Sequence, residues 1–102
     1  MPISSKQRAQ LRGLAMNMET IIQVGKGGIS ENLVESVNAA LKARELVKGK
    51  VQENSMLSAR EACEALCQAC AAEPVQVIGT KFVLYKANPR EPKIVLVKDG
   101  RK

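Results

Sequence analysis

The spacing of apolar residues switches between a helical and an alternating period along this chain, and that switching restricts the folds open to it. Leu11, Leu14 and Ala15 follow a helical spacing, and Ser4 or Ser5 can cap a helix running to about Ala15. Gly13 inside that helix costs roughly 1 kcal/mol relative to alanine and hints at close packing. Thr20 to Val24 then reads as a strand. From Ser30 to Arg44 the helical period returns, with Leu33, Val34, Val37, Ala40 and Leu41 on one face. Leu46 to Gln52 alternates, with Val47, Gly49 and Val51 on one side and Lys48 and Lys50 turned to solvent on the other.

The second half repeats the pattern. Ser58 and Glu61 form a capping box for a third helix reaching about Ala72, which Pro74 ends. Val75 to Ile78 and Lys81 to Lys86 are strands joined by Gly79-Thr80, with glycine where a type II′ turn requires it. Lys93 to Val97 has the residues of a short edge strand. Helices between strands demand crossover connections, whereas the last hairpin must be antiparallel. The expectation is an α/β fold of order αβαβαββ, with a single mixed four-stranded sheet packed with helices. It forms one domain over residues 1–97, followed by a charged tail at 98–102.

Between the first strand and the second helix stands Gly25-Lys26-Gly27-Gly28. Glycines let backbone amides turn outward together, and the helix beginning near Ser30 directs unpaired N–H groups to the same place. Strand, glycine loop, lysine and helix start suit an anion, most naturally a phosphate. A plain strand-to-helix turn would need no lysine. The spacing G-x-x-x-x-G-K-[ST] is absent, and no third glycine completes a dinucleotide fingerprint, because Ser30 stands at that position.

Charge points the same way. The formal net charge is +6, and the sequence pI of about 9.5 lies above the ~9 typical of nucleic-acid binders. Residues 1–30 carry a net +3, residues 31–75 a net −2 and residues 76–102 a net +5. Basic ends around an acidic middle suggest one basic face. Lys6, Arg8, Arg12, Lys48 and Lys50 would extend a phosphate track from the loop, provided the first helix packs beside it.

Other chemistries find little footing. Cys63, Cys67 and Cys70 share one helical face, but the chain has no histidine and supplies no fourth zinc ligand. They lie away from a helix N-terminus, where a redox thiol is activated, and so read as small core fillers. Three cysteines within eight residues make no disulfide framework, which fits a reducing cytoplasm. Phe82-Val83-Leu84-Tyr85 imitates the end of an RNA-recognition-motif signature whose front half is missing, and Phe82 reads as core. Glu31, Glu35, Glu61 and Glu64 occupy solvated helix faces. No catalytic residue, metal ligand or cofactor is assigned, and no apolar run suits a membrane span.

Several blocks recur in order as in a known family: Lys6-Gln7-Arg8, Leu11-Arg12-Gly13-Leu14-Ala15, Gln23-Val24-Gly25-Lys26-Gly27-Gly28-Ile29-Ser30, Ala40-Leu41, Glu45-Leu46-Val47-Lys48, Val75-Gln76-Val77-Ile78-Gly79 and Val83-Leu84-Tyr85-Lys86. From about Ser4 to Leu96 the chain resembles the bacterial stand-alone CRM domain, the family typified by YhbY. The resemblance implies a fold similar to the C-terminal domain of bacterial translation initiation factor three. It also implies an RNA-binding surface around a GxxG loop comparable to that of KH domains, and association with precursors of the large ribosomal subunit.

Carried over by position, Gly25 and Gly28 are the paired loop glycines and Lys26 the basic residue between them. Gly27 stands where relatives often have Asn, and Met16 where many have His. The resulting expectation is a monomeric cytoplasmic protein that grips structured rRNA through Gly25, Lys26, Gly27, Gly28 and Ser30, assisting large-subunit assembly. The alternative is a protein-interaction module that docks on a ribosomal protein or assembly factor.

Overall fold

In the computed structural model, residues 3–97 are described. The charged tail expected at 98–102 lies outside them. Helix α1, Ser5–Ala15, begins where the Ser4 hydroxyl accepts the Gln7 amide at 3.1 Å and the Gln7 side chain accepts the Ser4 amide at 3.0 Å. Strand β1, Ile22–Val24, leads through the glycine loop to α2, Glu31–Arg44, which Ser30 caps. Strand β2 is Leu46–Val51, and α3, Ala59–Cys70, starts on the Ser58–Glu61 capping box that its sequence predicts. Strands β3, Glu73–Ile78, and β4, Lys81–Tyr85, close the chain order.

The strands form one mixed sheet in the order β1-β2-β4-β3, with β1 parallel to β2 and β4 antiparallel to both β2 and β3. The expected αβαβαββ architecture is therefore the observed one. Gly79 at φ +60°, followed by Thr80 at negative φ, makes the type II′ connection that places β4 beside β3.

Alternation along the strands builds two cores. Ile22, Val24, Val47, Val51, Phe82 and Leu84 face α2 and α3, where Val37, Leu41, Ala62, Cys63, Leu66 and Cys70 meet them. On the other face, Leu46, Val75, Val83 and Tyr85 pack on Leu11 and Ala15 of α1, with Ile94 and Leu96 at the margin. Cys63 and Cys70 are buried and Cys67 half-buried, all as free thiols. The hydrogen bond shared with Cys63, reinforced by burial, raises the Cys67 thiol far above its ordinary range, and burial raises that of Cys70. The same hydrogen bond lowers the Cys63 thiol, while Cys67 and Cys70 are neutral packing groups.

Four local expectations need correction. Pro74 does not end α3. The helix stops at Ala71 in the left-handed region, φ 55°, and Pro74 lies in edge strand β3, where a missing N–H is tolerated. Gly13 is not closely packed, because a Cβ there would meet nothing within 4 Å. The segment Lys93–Val97 adds no strand. It is instead held to α1 by Gln10, whose side chain donates to the Val95 carbonyl at 2.8 Å and accepts the Val97 amide at 2.8 Å. Finally, Lys48 is not turned to solvent, as its contacts below show.

The junction between α2 and β2 had no sequence signal. Glu45 adopts φ 64°, in a region that disfavours side chains, and is only 1% exposed. Its carboxylate accepts the backbone N–H groups of Asn88, of Lys93 at 2.6 Å and of Ile94 at 2.8 Å. A buried charge held by several donors offsets its own desolvation and fixes the segment that supplies them.

Candidate functional site

The glycine loop closes as a four-residue turn, in which the Gly28 amide donates to the Gly25 carbonyl at 3.1 Å. Gly28 sits at φ +67°, which a side chain would strain. Lys26 and Gly27 form the exposed tip. Beyond it the Ser30 hydroxyl accepts the Leu33 amide at 3.1 Å, leaving the first amides of α2, at Glu31 and Asn32, directed out of the helix end. The Glu31 carboxylate in the same turn offsets part of the dipole's positive end.

Gly25 abuts the Gln52 side chain, so the loop runs directly into a second feature. The Gln52 amide pairs with the Val24 carbonyl at 2.8 Å, and its side chain donates to that of Gln23. Together with Lys50, Val51, Glu53, Asn54 and Thr80 these residues line an open cleft of about 680 Å³. Across the sheet at this end, the register sets Gln23 beside Lys50, Lys50 beside Lys81 and Lys81 beside Ile78. All four are exposed on the face that α1 covers elsewhere.

Lys50 and Lys81 are thus directly opposite on adjacent strands, an arrangement that costs stability through like-charge repulsion. Among the described residues the salt bridge is Lys93–Glu91 at 3.8 Å, which leaves Lys26, Lys50 and Lys81 without carboxylate partners. Three cations without a salt-bridge partner among the described residues therefore stand around one loop and one cleft, with Glu53 at the cleft's rim. Lys81 belongs with them although nothing in the linear sequence singles it out. Its place follows from the register of β4 on β2.

The remaining expected site residues fall elsewhere. The Lys48 ammonium is half-buried and donates to the Ala15 carbonyl at 3.1 Å and the Met18 carbonyl at 3.5 Å, holding the C-terminal end of α1. It is a structural tether and no part of a solvent-facing track. Helix α1 packs across β2, β4 and β3 rather than beside the glycine loop. The Arg8 guanidinium donates to the Pro74 carbonyl at 3.3 Å, at the opposite end of the sheet from the loop. Lys6 and Arg12 are exposed on the same helix. The structure brings together the loop and Lys50, and the condition set for the α1 residues to join them is not met.

A small mixed α/β domain with a basic glycine loop opening on an uncovered sheet end defines the class. Residues 3–86 match the CRS1 / YhbY (CRM) domain, and the chain belongs to that family. It is 37% identical over 94 residues to the Bacillus subtilis protein named "Probable RNA-binding protein YqeI", covering 92% of this chain and 98% of that one. A Haemophilus influenzae protein named "RNA-binding protein" is 32% identical over 92% of this chain and 94% of its own. The solution structure of the Staphylococcus aureus hypothetical protein SAV1595 is similar with a TM-score of 0.77 and 39% identity, covering 93% of this chain and 99% of that one.

Proposed function

We infer that this domain binds structured RNA through its phosphates, with Gly25–Gly28 and the start of α2 as the anchor and Lys26, Lys50 and Lys81 as the surrounding cations. The observation that carries this reading is the continuity of the loop with an uncovered, carboxylate-poor strip of sheet. The names of the relatives support RNA as the polyanion. Phosphate contacts of this kind position a ligand and carry no sequence information, so selectivity comes from RNA shape. The scarcity of aromatics supports the same conclusion, since Phe82 and Tyr85 are both buried and offer no ring for base stacking.

The reading extends to rRNA, with a role in assembly of the large ribosomal subunit in the cytoplasm, as a binding module rather than a catalyst. Affinity for large-subunit rRNA fragments should fall steeply with salt. Lys26→Ala should lessen the slope of log K against log salt by about 0.9, the contribution of one duplex phosphate. An affinity insensitive to both salt and that substitution would rule the reading out. Association with ribosomal particles that survives complete nuclease digestion would instead favour docking on a protein.

A further inference from the structure

A second concave site lies at the other end of the sheet, where the last turns of α2 face the segment that follows β4. It encloses about 400 Å³ and is lined by Asn38, Leu41 and Lys42 on one wall and by Lys86 to Arg90 on the other. Its charged side chains are Lys42, Lys86 and Arg90, with no carboxylate among the lining residues. Ala87 and Pro89 supply an exposed apolar surface among these cations, backed by the buried Leu41.

The groove is held in shape by the Glu45 clasp. The Lys86 amide donates to the Glu45 carbonyl at 2.9 Å, and the Asn88 amide donates to the Glu45 carboxylate. The Asn88 side chain donates to the Lys42 carbonyl at 2.9 Å and accepts the Arg90 amide at 3.2 Å and the Glu91 amide at 3.3 Å. The nearby acid is therefore sealed below the groove and occupied by backbone donors. The cations above it are exposed and uncommitted to any carboxylate among the described residues. The last carbonyls of α2, which would repel an anion, are partly used up by Asn88 and by the Glu45 amide.

We propose that this groove takes one unpaired nucleotide of an RNA strand, its base against Ala87 and Pro89 and its phosphate among Lys42, Lys86 and Arg90. A volume of this size suits a single nucleotide, and small-molecule sites combine an apolar lining with a few placed polar groups in this way. An acidic peptide would satisfy the cations but brings no flat apolar face to match the floor. The Asn38 amide at the rim can pair with a base edge. Strand β2 separates this groove from the glycine loop by ~20 Å, from six residues at about 3.3 Å each, so the two sites can be altered independently. RNA as the ligand class rests on the proposed function, but the groove's own response is read separately from that of the loop.

The test is amide chemical-shift mapping on the full chain with hexauridylate, and with inorganic phosphate and hexaglutamate as comparison probes. Hexauridylate should move the amides of residues 38–42, 86–88 and 90, and should still do so in Lys26→Ala. Lys42→Ala and Arg90→Ala remove exposed side chains while leaving the backbone contacts of the clasp in place. Each should weaken those shifts and lessen the salt slope of hexauridylate binding by roughly 0.7, one single-strand phosphate. Silence of the groove amides towards hexauridylate overturns the proposal whatever the loop does. Equal movement with inorganic phosphate would mean an adventitious ion only, and tighter binding of hexaglutamate would make the groove a peptide site. Either result rejects a nucleotide site without touching the phosphate grip at Gly25–Gly28.

Discussion

The ring of Phe82 lies over Gly49 on the neighbouring strand, in the space that a side chain at position 49 would fill. The two residues are paired across β2 and β4, and Phe82 is fully buried between the sheet and the helices. Here the glycine supplies room for the one phenylalanine of a core that is otherwise aliphatic apart from Tyr85. Gly49→Ala should therefore destabilise the fold by about 1–3 kcal/mol through overpacking, seen as a lower urea midpoint. Combining it with Phe82→Leu should recover part of that loss in a double-mutant cycle, because the two positions share one space.

Gly13 makes the opposite case. It lies in the last turns of α1 with open space where its Cβ would be. Gly13→Ala should stabilise the domain by about 0.5–1 kcal/mol by reducing backbone freedom in the unfolded chain and improving helix propensity. An unchanged or lower thermal midpoint would contradict this.

Lys48 and Lys50 are two residues apart on one face of β2 and should behave differently. Lys48→Ala removes the ammonium that holds the Ala15 and Met18 carbonyls and should cost about 1–2 kcal/mol, with little effect on the RNA salt slope. Lys50→Ala should leave stability within about 0.5 kcal/mol and weaken RNA binding. Chemical denaturation and a salt-dependent binding series on both variants would separate the two roles.

Glu45 should control the chain beyond β4. Glu45→Gln replaces one of two acceptor oxygens with an NH2 group, which must oppose either the Asn88 N–H or those of Lys93 and Ile94. Hydrogen exchange at those amides should accelerate strongly, and the segment carrying Ile94 and Leu96 should become sensitive to protease. Stability should fall by about 3–5 kcal/mol if the segment unfolds with the domain. If it opens alone, exchange within β2 and β4 should stay slow.

Lys81→Ala tests the register-defined part of the basic surface. It should weaken RNA binding about as much as Lys50→Ala. It should also relieve the repulsion across the strand pair, giving equal or slightly higher stability. A variant with unaltered affinity would take Lys81 out of the interface.

The elements were legible in the sequence wherever the determinants are local. Ser30 and the Ser58–Glu61 pair mark helix starts because a cap is a contact over three residues. The alternation of Val47, Lys48, Gly49, Lys50 and Val51 sorts the two faces of β2 because strand side chains alternate. The Gly25–Gly28 turn ahead of α2 was legible for the same reason, as loop, lysine and helix end are contiguous in the chain.

What lay beyond the sequence depends on partners far away along it. Local pattern does not state which strand lies beside β2, so Lys81 drew no attention until the insertion of β4 between β2 and β3 set it opposite Lys50. Nor could the alternation of β2 distinguish Lys48 from Lys50, which share a face, since only the end of α1 covers the one and leaves the other open. Glu45 looked like any acid at the end of a helix, and its burial comes from amides more than forty residues away. By itself the sequence determined the local elements and the glycine loop ahead of α2, through contacts that close within a few residues. The tertiary structure decided which lysines remain free for a polyanion and which acid becomes a clasp, because both depend on how separate elements cover one another.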